Sequence, residues 1–211
     1  MKNKIAFVGF GELGAQLLGL FSSKKKREYF FLDDILFEKK IKNSFPFKKY
    51  SSDEFKECDF VIALGYRHLV KKSEIANELI SLKRKLITFI HPSSFIHPSA
   101  NIGQGSFVYP MCNIDKQVEI GNGVLLNNSV CASHNCIIGD GCYISPGVIF
   151  SGNVTVGEGT FIGSGTVISN NVHIGREVKI GVGSVITKNI PDGCSAIGNP
   201  AKILQKPLKL I

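Results

Sequence analysis

The chain has 211 residues, enough for one large domain or two small ones with a buried core. Hydrophobic residues make up 44% and charged residues 20%, with 15 Phe and no long polar tract, which excludes disordered and fibrous classes. The formal charge is +8, but the lysines are scattered or sit in short runs such as Lys24-Lys25-Lys26-Arg27, with no basic stripe interleaved with aromatics. No nucleic acid partner is therefore expected. The surplus reads as a solvated basic surface or, more sharply, as an attraction for a small phosphorylated ligand.

The start of the chain imitates a signal peptide, because Lys2 and Lys4 precede an apolar stretch. Glu12 and Gln16 interrupt that stretch, and its glycines fit another motif better. No apolar run is long enough to span a bilayer, so no membrane insertion is expected and the protein is read as cytoplasmic. Residues 4–9 read as a buried strand, 12–22 as a helix, 30–33 as a second strand and 60–65 as a third. Residues 70–82 fit a helix whose apolar stripe is Leu69, Ile75, Leu79 and Ile80, and 86–90 a fourth strand. Strand, glycine turn, helix, strand is the layout of a small doubly wound, Rossmann-like α/β domain, assigned to residues 1–90.

Gly9-Phe10-Gly11-Glu12-Leu13-Gly14 is a GxGxxG turn between strand and helix, where glycines permit close backbone approach and a helix N-terminus attracts phosphate. Asp33 and Asp34 follow about 20 residues later, where a carboxylate receives a ribose hydroxyl or a base edge, and Gly65 ends the third strand. A glycine turn used only for packing is the alternative. Roughly 90 residues make about half of a dinucleotide domain, so a mononucleotide group is the expected ligand. His91-Pro92 to His97-Pro98 then forms a stiff junction.

From Ile96 the sequence divides into sixteen six-residue blocks without an insertion, and fourteen of them begin with Ile, Leu or Val. Glycine follows the leader at 103, 121, 139, 157 and 175, a constant spacing of 18, so three blocks make one turn. The reading is a triangular coil over residues 91–190, with the leader and the fifth residue of each block pointing inward and residues 191–211 capping the last coil. The fifth positions are small or β-branched, which makes Cys112, Cys136 and Cys142 packing residues. The six cysteines form no CxxC pair, and the positions one turn before and after His134 are Lys116 and Gly152, so no zinc trio is built.

His134 is the third residue of the block Ala132-Ser133-His134-Asn135-Cys136-Ile137, and its side chain should leave the coil near a corner. An exposed imidazole on a rigid scaffold suits general base work, because imidazole gains and loses a proton near neutrality. An ordinary surface histidine is the alternative. His68, His91, His97 and His173 have weaker claims, since they lie beside prolines, in a loop or at a block end.

The hexads resemble those of the left-handed parallel β-helix acyltransferases, whose crossovers run against the usual handedness. Taken with the glycine loop, Leu32-Asp33-Asp34, Ala63-Leu64-Gly65 and Ser133-His134-Asn135-Cys136-Ile137-Ile138-Gly139-Asp140, the whole chain resembles the bacterial sialic-acid O-acetyltransferase-like and nucleotide-amino-sugar N-acetyltransferase family. The resemblance implies a homotrimer, with acetyl-CoA as cosubstrate in the cleft between the β-helices of neighbouring subunits and no metal. It implies that His134, supported by Asn135, deprotonates a sugar amine, and that a backbone amide stabilises the oxyanion. Gly9, Gly11, Leu13, Asp33, Asp34 and Gly65 would line the nucleotide-sugar site, while Tyr143, Gly152, Ser164 and Val182 fall on acetyl-CoA positions.

The chain departs from relatives that carry histidine at Leu13, an acidic residue at Asn135 or histidine at Tyr143. The expected activity is acetyl transfer to a UDP- or dTDP-4-amino-sugar for a surface glycan. O-acetylation of sialic acid or a related sugar would use the same base on a hydroxyl. A non-catalytic nucleotide-sugar-binding scaffold would not need His134, and a nicotinamide oxidoreductase would need a catalytic domain unlike a β-helix.

Overall fold

The apolar run Ile5, Ala6, Phe7 and Val8 is almost wholly buried and forms the centre of a parallel sheet. Its neighbours follow from the alternation of strand and helix. β1 (Asn3–Val8) leads to α1 (Glu12–Phe21), β2 (Arg27–Leu32), α2 (Asp34–Glu38), β3 (Ser44–Phe45), β4 (Asp59–Ile62), α3 (Leu69–Ser81) and β5 (Lys85–Leu86). The strand order is β3-β2-β1-β4-β5, with every pairing parallel. The computed structural model describes residues 3–21, 27–206 and 208; the expected helix end at Ser22 and the lysines of the 24–26 run lie outside them. By its contacts the chain divides into two units, Met1–His68 with Glu74–Ile87, and Leu69–Ser73 with Thr88–Ile211.

In the first unit Val8, Leu32, Phe60, Ile62, Ile75 and Leu79 form one buried cluster with Phe55 and Tyr50. α2 and β3 carry no clear period in the sequence and add to the expected elements. Asp33 starts α2 by accepting the Leu36 N–H at 3.0 Å on Oδ1, and β3 adds a two-residue edge to β2.

The second unit is a stack of two-residue strands in three parallel sheets, which fits the left-handed β-helix implied by the hexads. The first face runs from Phe89–Ile90 through Tyr143–Ile144 to Lys179–Ile180, the second from Phe95–Ile96 to Val185–Ile186, and the third from Asn101–Ile102 to His173–Ile174. Each pairing joins residues at the same position of adjacent coils, as in Cys131↔Ile149 and Ala132↔Phe150. The expected fourth strand at 86–90 is split: Lys85–Leu86 pairs with β4, whereas Phe89–Ile90 pairs with Phe107–Val108. Coiling thus begins one block before Ile96.

Leaders from Val108 to Ile186 and fifth-position residues from Ser106 to Ser184 are buried; the last coil is two residues short, so Ile190, expected at a fifth position, pairs instead with the leader Ile174 and takes a leader's place on the third face. The two leaders that break the aliphatic rule, Ala132 and Phe150, are register partners on adjacent coils, so the small side chain leaves room for the large one. The polar fifth positions satisfy inner carbonyls further along the chain: Ser106 Oγ donates to Gly121 at 2.7 Å, Cys136 Sγ to Ser151 at 3.0 Å and Cys142 Sγ to Gly157 at 3.1 Å. Burial drives the Cys142 thiol up to about 12, which leaves it inert at neutral pH. At the glycine corner a Cβ on Gly139 would stand 2.8 Å from the Glu158 nitrogen, so adjacent coils approach too closely for any side chain. The segment after Pro191 extends the first face with Ser195–Gly198 and, antiparallel to it, Ala201–Ile203.

Lys72 on α3 is 1% exposed, and loss of hydration lowers its pKa to about 8. A lysine whose folded pKa lies below its unfolded value costs stability in full below the folded pKa, and the cost is relieved as pH rises toward the unfolded value. The raised thiols of Cys58, Cys112, Cys131, Cys136 and Cys142 and the Tyr50 and Tyr109 phenols, both raised to about 12, act in the opposite sense as pH rises, so the lysine's part is read from the difference between wild type and a variant without it. Lys72→Met should raise stability at pH 7 by on the order of 2–3 kcal/mol, and its advantage over wild type should narrow as pH rises above 8, as measured by urea denaturation of both proteins at stepped pH.

Candidate active site

The carboxyl ends of three adjacent strands bring together Gly9 after β1, Asp33 after β2 and Gly65 beyond β4. The strand order turns between β1 and β4, where open parallel sheets leave a crevice. The glycines of the loop have different duties. Gly9 has φ +77°, and a Cβ there would lie 2.7 Å from Leu64 Cδ2; a Cβ on Gly14 would lie 2.9 Å from the Phe10 ring. Gly9 is required by its left-handed backbone, and a side chain at Gly14 would have to displace the Phe10 ring. Gly11 and Gly65 face open space, so these are the two positions where another molecule can approach the backbone.

Asp33 does more than await a ribose. Its Oδ2 accepts the Phe10 N–H at 2.9 Å, tying the glycine loop to the end of β2, while Oδ1 caps α2. Asp34 is exposed and its Oδ1 accepts the Phe47 N–H at 2.8 Å. Leu13 is half-buried in the first turn of α1.

In the β-helix His134 occupies the corner between the second and third faces and is half-buried. Its imidazole lies over the backbone of the next coil: a Cβ on Gly152 would stand 2.5 Å from both Cε1 and Nε2. Gly152 is therefore the floor beneath the imidazole. Its own N–H donates to Asn170 Oδ1 at 2.8 Å, which fixes that floor. Asn135 has φ 59° and sets its Nδ2 3.3 Å from His134 Nδ1.

Ser164 and Val182 are exposed and stacked on adjacent coils at a different corner, between the first and second faces, where the Gly183 N–H donates to the Ser164 carbonyl at 2.8 Å. Tyr143 lies on the first face, stacked on Phe161 with ring centroids 5.8 Å apart. Within one chain the structure thus joins His134, Asn135 and Gly152, and sets Ser164 and Val182 apart from them. His91 and His97 each bind a serine two residues on, Ser93 at 2.8 Å and Ser99 at 2.9 Å, as parts of turns. Among the described residues no group of three or more His, Cys, Asp or Glu could hold a metal ion, and no helix is long and apolar enough to cross a membrane.

Residues 153–188 match the family model of the bacterial transferase hexapeptide, six repeats. No curated protein matches the chain. Among solved structures, the acetyltransferase domain of PglB from Neisseria gonorrhoeae is 30% identical, covering 96% of this chain and 100% of that one with a TM-score of 0.79. The chain belongs to the hexapeptide-repeat acetyltransferases. PglB has also been solved with acetyl coenzyme A, at 30% identity, 97% and 100% coverage and a TM-score of 0.78. The fold of this acetyltransferase is shared by PerB from Caulobacter crescentus, solved with CoA and GDP-perosamine (24% identity, 97% and 98% coverage, TM-score 0.80). WeeI from Acinetobacter baumannii shares it too (24% identity, 97% and 100% coverage, TM-score 0.81).

Because the three atoms nearest a Cβ on Gly152 all belong to the His134 imidazole, Gly152→Ala should displace the ring. The ring NMR signals of His134 should shift while the far-UV circular dichroism of the β-helix stays that of wild type.

Proposed function

We propose that the protein transfers the acetyl group of acetyl-CoA to the amine of a nucleotide-linked amino sugar, with His134 as general base. The observation that carries the reading is the imidazole held over Gly152 at an open corner of a rigid coil, in a chain 30% identical to an acetyltransferase solved with acetyl coenzyme A. The same fold serves GDP-perosamine in PerB, which supports a nucleotide amino sugar as acceptor.

The N-terminal unit, a Rossmann-like 3-2-1-4-5 arrangement, would take the nucleotide at the Gly9–Gly14 loop. Gly11 and Gly65 leave room for the ligand, and Leu13 contributes its side chain. Asp33 acts chiefly by holding the loop through the Phe10 N–H, and Asp34 stands at the rim. His134 removes the proton from the attacking ammonium-derived amine, a C–N bond forms as the C–S bond breaks, and the proton leaves with the departing thiol.

Acetyl-CoA would lie along Gly152, Ser164, Val182 and Tyr143. Ser164 and Val182 occupy another corner than His134, so they complete its site from a second copy, which supports a homotrimer. Ile149 and Val167, exposed register partners on adjacent coils of the second face, give such an assembly an apolar surface to bury. A reaction consuming acetyl-CoA and nucleotide sugars places the protein in the cytoplasm.

Thiol release from acetyl-CoA should appear with one member of a panel of UDP-, dTDP- and GDP-linked amino sugars. His134→Ala should lower that rate by about 10²- to 10⁴-fold with the melting temperature preserved. Turnover with free sialic acid alone would establish O-acetylation instead, and an equal rate in the variant would remove His134 from the chemistry.

A further inference from the structure

The column of corner residues that contains Asn135 continues on the following coils with Asn153 and Asn171, each one coil further along and each with φ near +60° (59°, 59° and 60°). Asparagine tolerates this left-handed conformation, which accounts for the residue type at each corner. It does not account for the bonds. Asn135 Nδ2 donates to Asn153 Oδ1 at 3.0 Å, Asn153 Nδ2 donates to Asn171 Oδ1 at 3.1 Å, and the first amide also meets His134 Nδ1. The imidazole therefore stands at the head of a ladder of three exposed amides.

A ladder of this kind has two senses of nearly equal shape. In the sense just described an amide N–H points at Nδ1, so Nδ1 accepts and the neutral ring carries its proton on Nε2, the nitrogen over Gly152. In the reverse sense Asn171 donates to Asn153, Asn153 donates to Asn135, and Asn135 Oδ1 accepts the Nδ1 proton, leaving the lone pair on Nε2. Asn135 cannot reverse alone, because its oxygen would then face the Asn153 oxygen. Only the second sense lets Nε2 take a proton from an amine.

We propose that Asn153 is a positioning residue for His134: through the Asn135 amide it determines which nitrogen of the imidazole carries the proton. This inference rests on His134 being the base of the proposed reaction, but its direct test does not. The catalytic weight of such a choice is large, since a histidine base held in the wrong tautomer loses up to about 10⁴ in turnover.

Two substitutions keep the left-handed backbone and separate this role from a purely conformational one. Asn153→Asp can only accept from Asn135, so it holds Asn135 Nδ2 on the ring. Asn153→Gly removes the side chain and lets Asn135 turn alone. In ligand-free protein, ¹⁵N NMR of the His134 ring should move Nδ1 toward the acceptor type in Asn153→Asp and toward the N–H type in Asn153→Gly, relative to wild type. Turnover should fall at least about 10-fold in the aspartate variant and by less in the glycine variant, with KM for acetyl-CoA unchanged in both. Added negative charge alone would instead strengthen the base and raise turnover below neutral pH. Identical ring signals in all three proteins, or an aspartate variant as active as the glycine one, would overturn the proposal. Ring signals that respond as expected in a protein that acetylates no amino sugar would leave the ladder standing and remove the proposed function.

Discussion

Stacking of each coil on the last at one sequence interval, kept from Phe89 to Ile186 and shortened by two residues only in the final coil, is the constraint on which the rest of the β-helix depends. Because no coil carries an insertion, a residue at one corner lies over its counterpart on the next, and each inward side chain meets the same layer of neighbours. Hydrophobic burial drives the coil closed. The register then decides which outward groups meet: His134 over Gly152, and Asn135 beside Asn153 and Asn171. A one-residue slip would dismantle both the core and the site.

The glycine loop obeys a different constraint, the crossing of strand ends in a parallel sheet. Gly9 and Gly14 permit β1, α1 and the residues after β4 to approach, and Asp33 ties the loop to β2 through the Phe10 N–H. Rigidity there comes from backbone amides bound to one carboxylate. What is left open, at Gly11 and Gly65, is backbone without side chains, a surface suited to phosphate or a sugar ring rather than to an apolar ligand.

Much of this was legible in the residues. The hexad frame identified the buried leaders from Val108 to Ile186 and explained Cys112, Cys136 and Cys142 as interior packing, because a strict period maps directly onto inward and outward positions; it failed at the shortened last coil, where Ile190 and Ala196 stand at leader register. The same frame placed His134 at a corner. Less visible were contacts between coils that depend on side-chain conformation. Gly152, expected as an acetyl-CoA position, is also the floor under the imidazole, and nothing in the spacing distinguishes the two roles. Asp33, expected to face a ribose, has each oxygen engaged by a backbone N–H, a consequence of where α2 starts and of how the loop returns. α2 and β3 are too short to show a period, and the first coil at Phe89–Ile90 was hidden because its apolar residues also continue the preceding strand pattern.

The central claim, that His134 serves as base for an amine held at its corner, is tested most directly by a crystal structure of the protein with CoA and the amino sugar it turns over. The account expects the amine nitrogen within hydrogen-bond reach of His134 Nε2, the CoA thiol beside Gly152, and Ser164 and Val182 of a neighbouring copy on the CoA chain. An amine turned away from the imidazole, or a thiol bound at another corner, would contradict it.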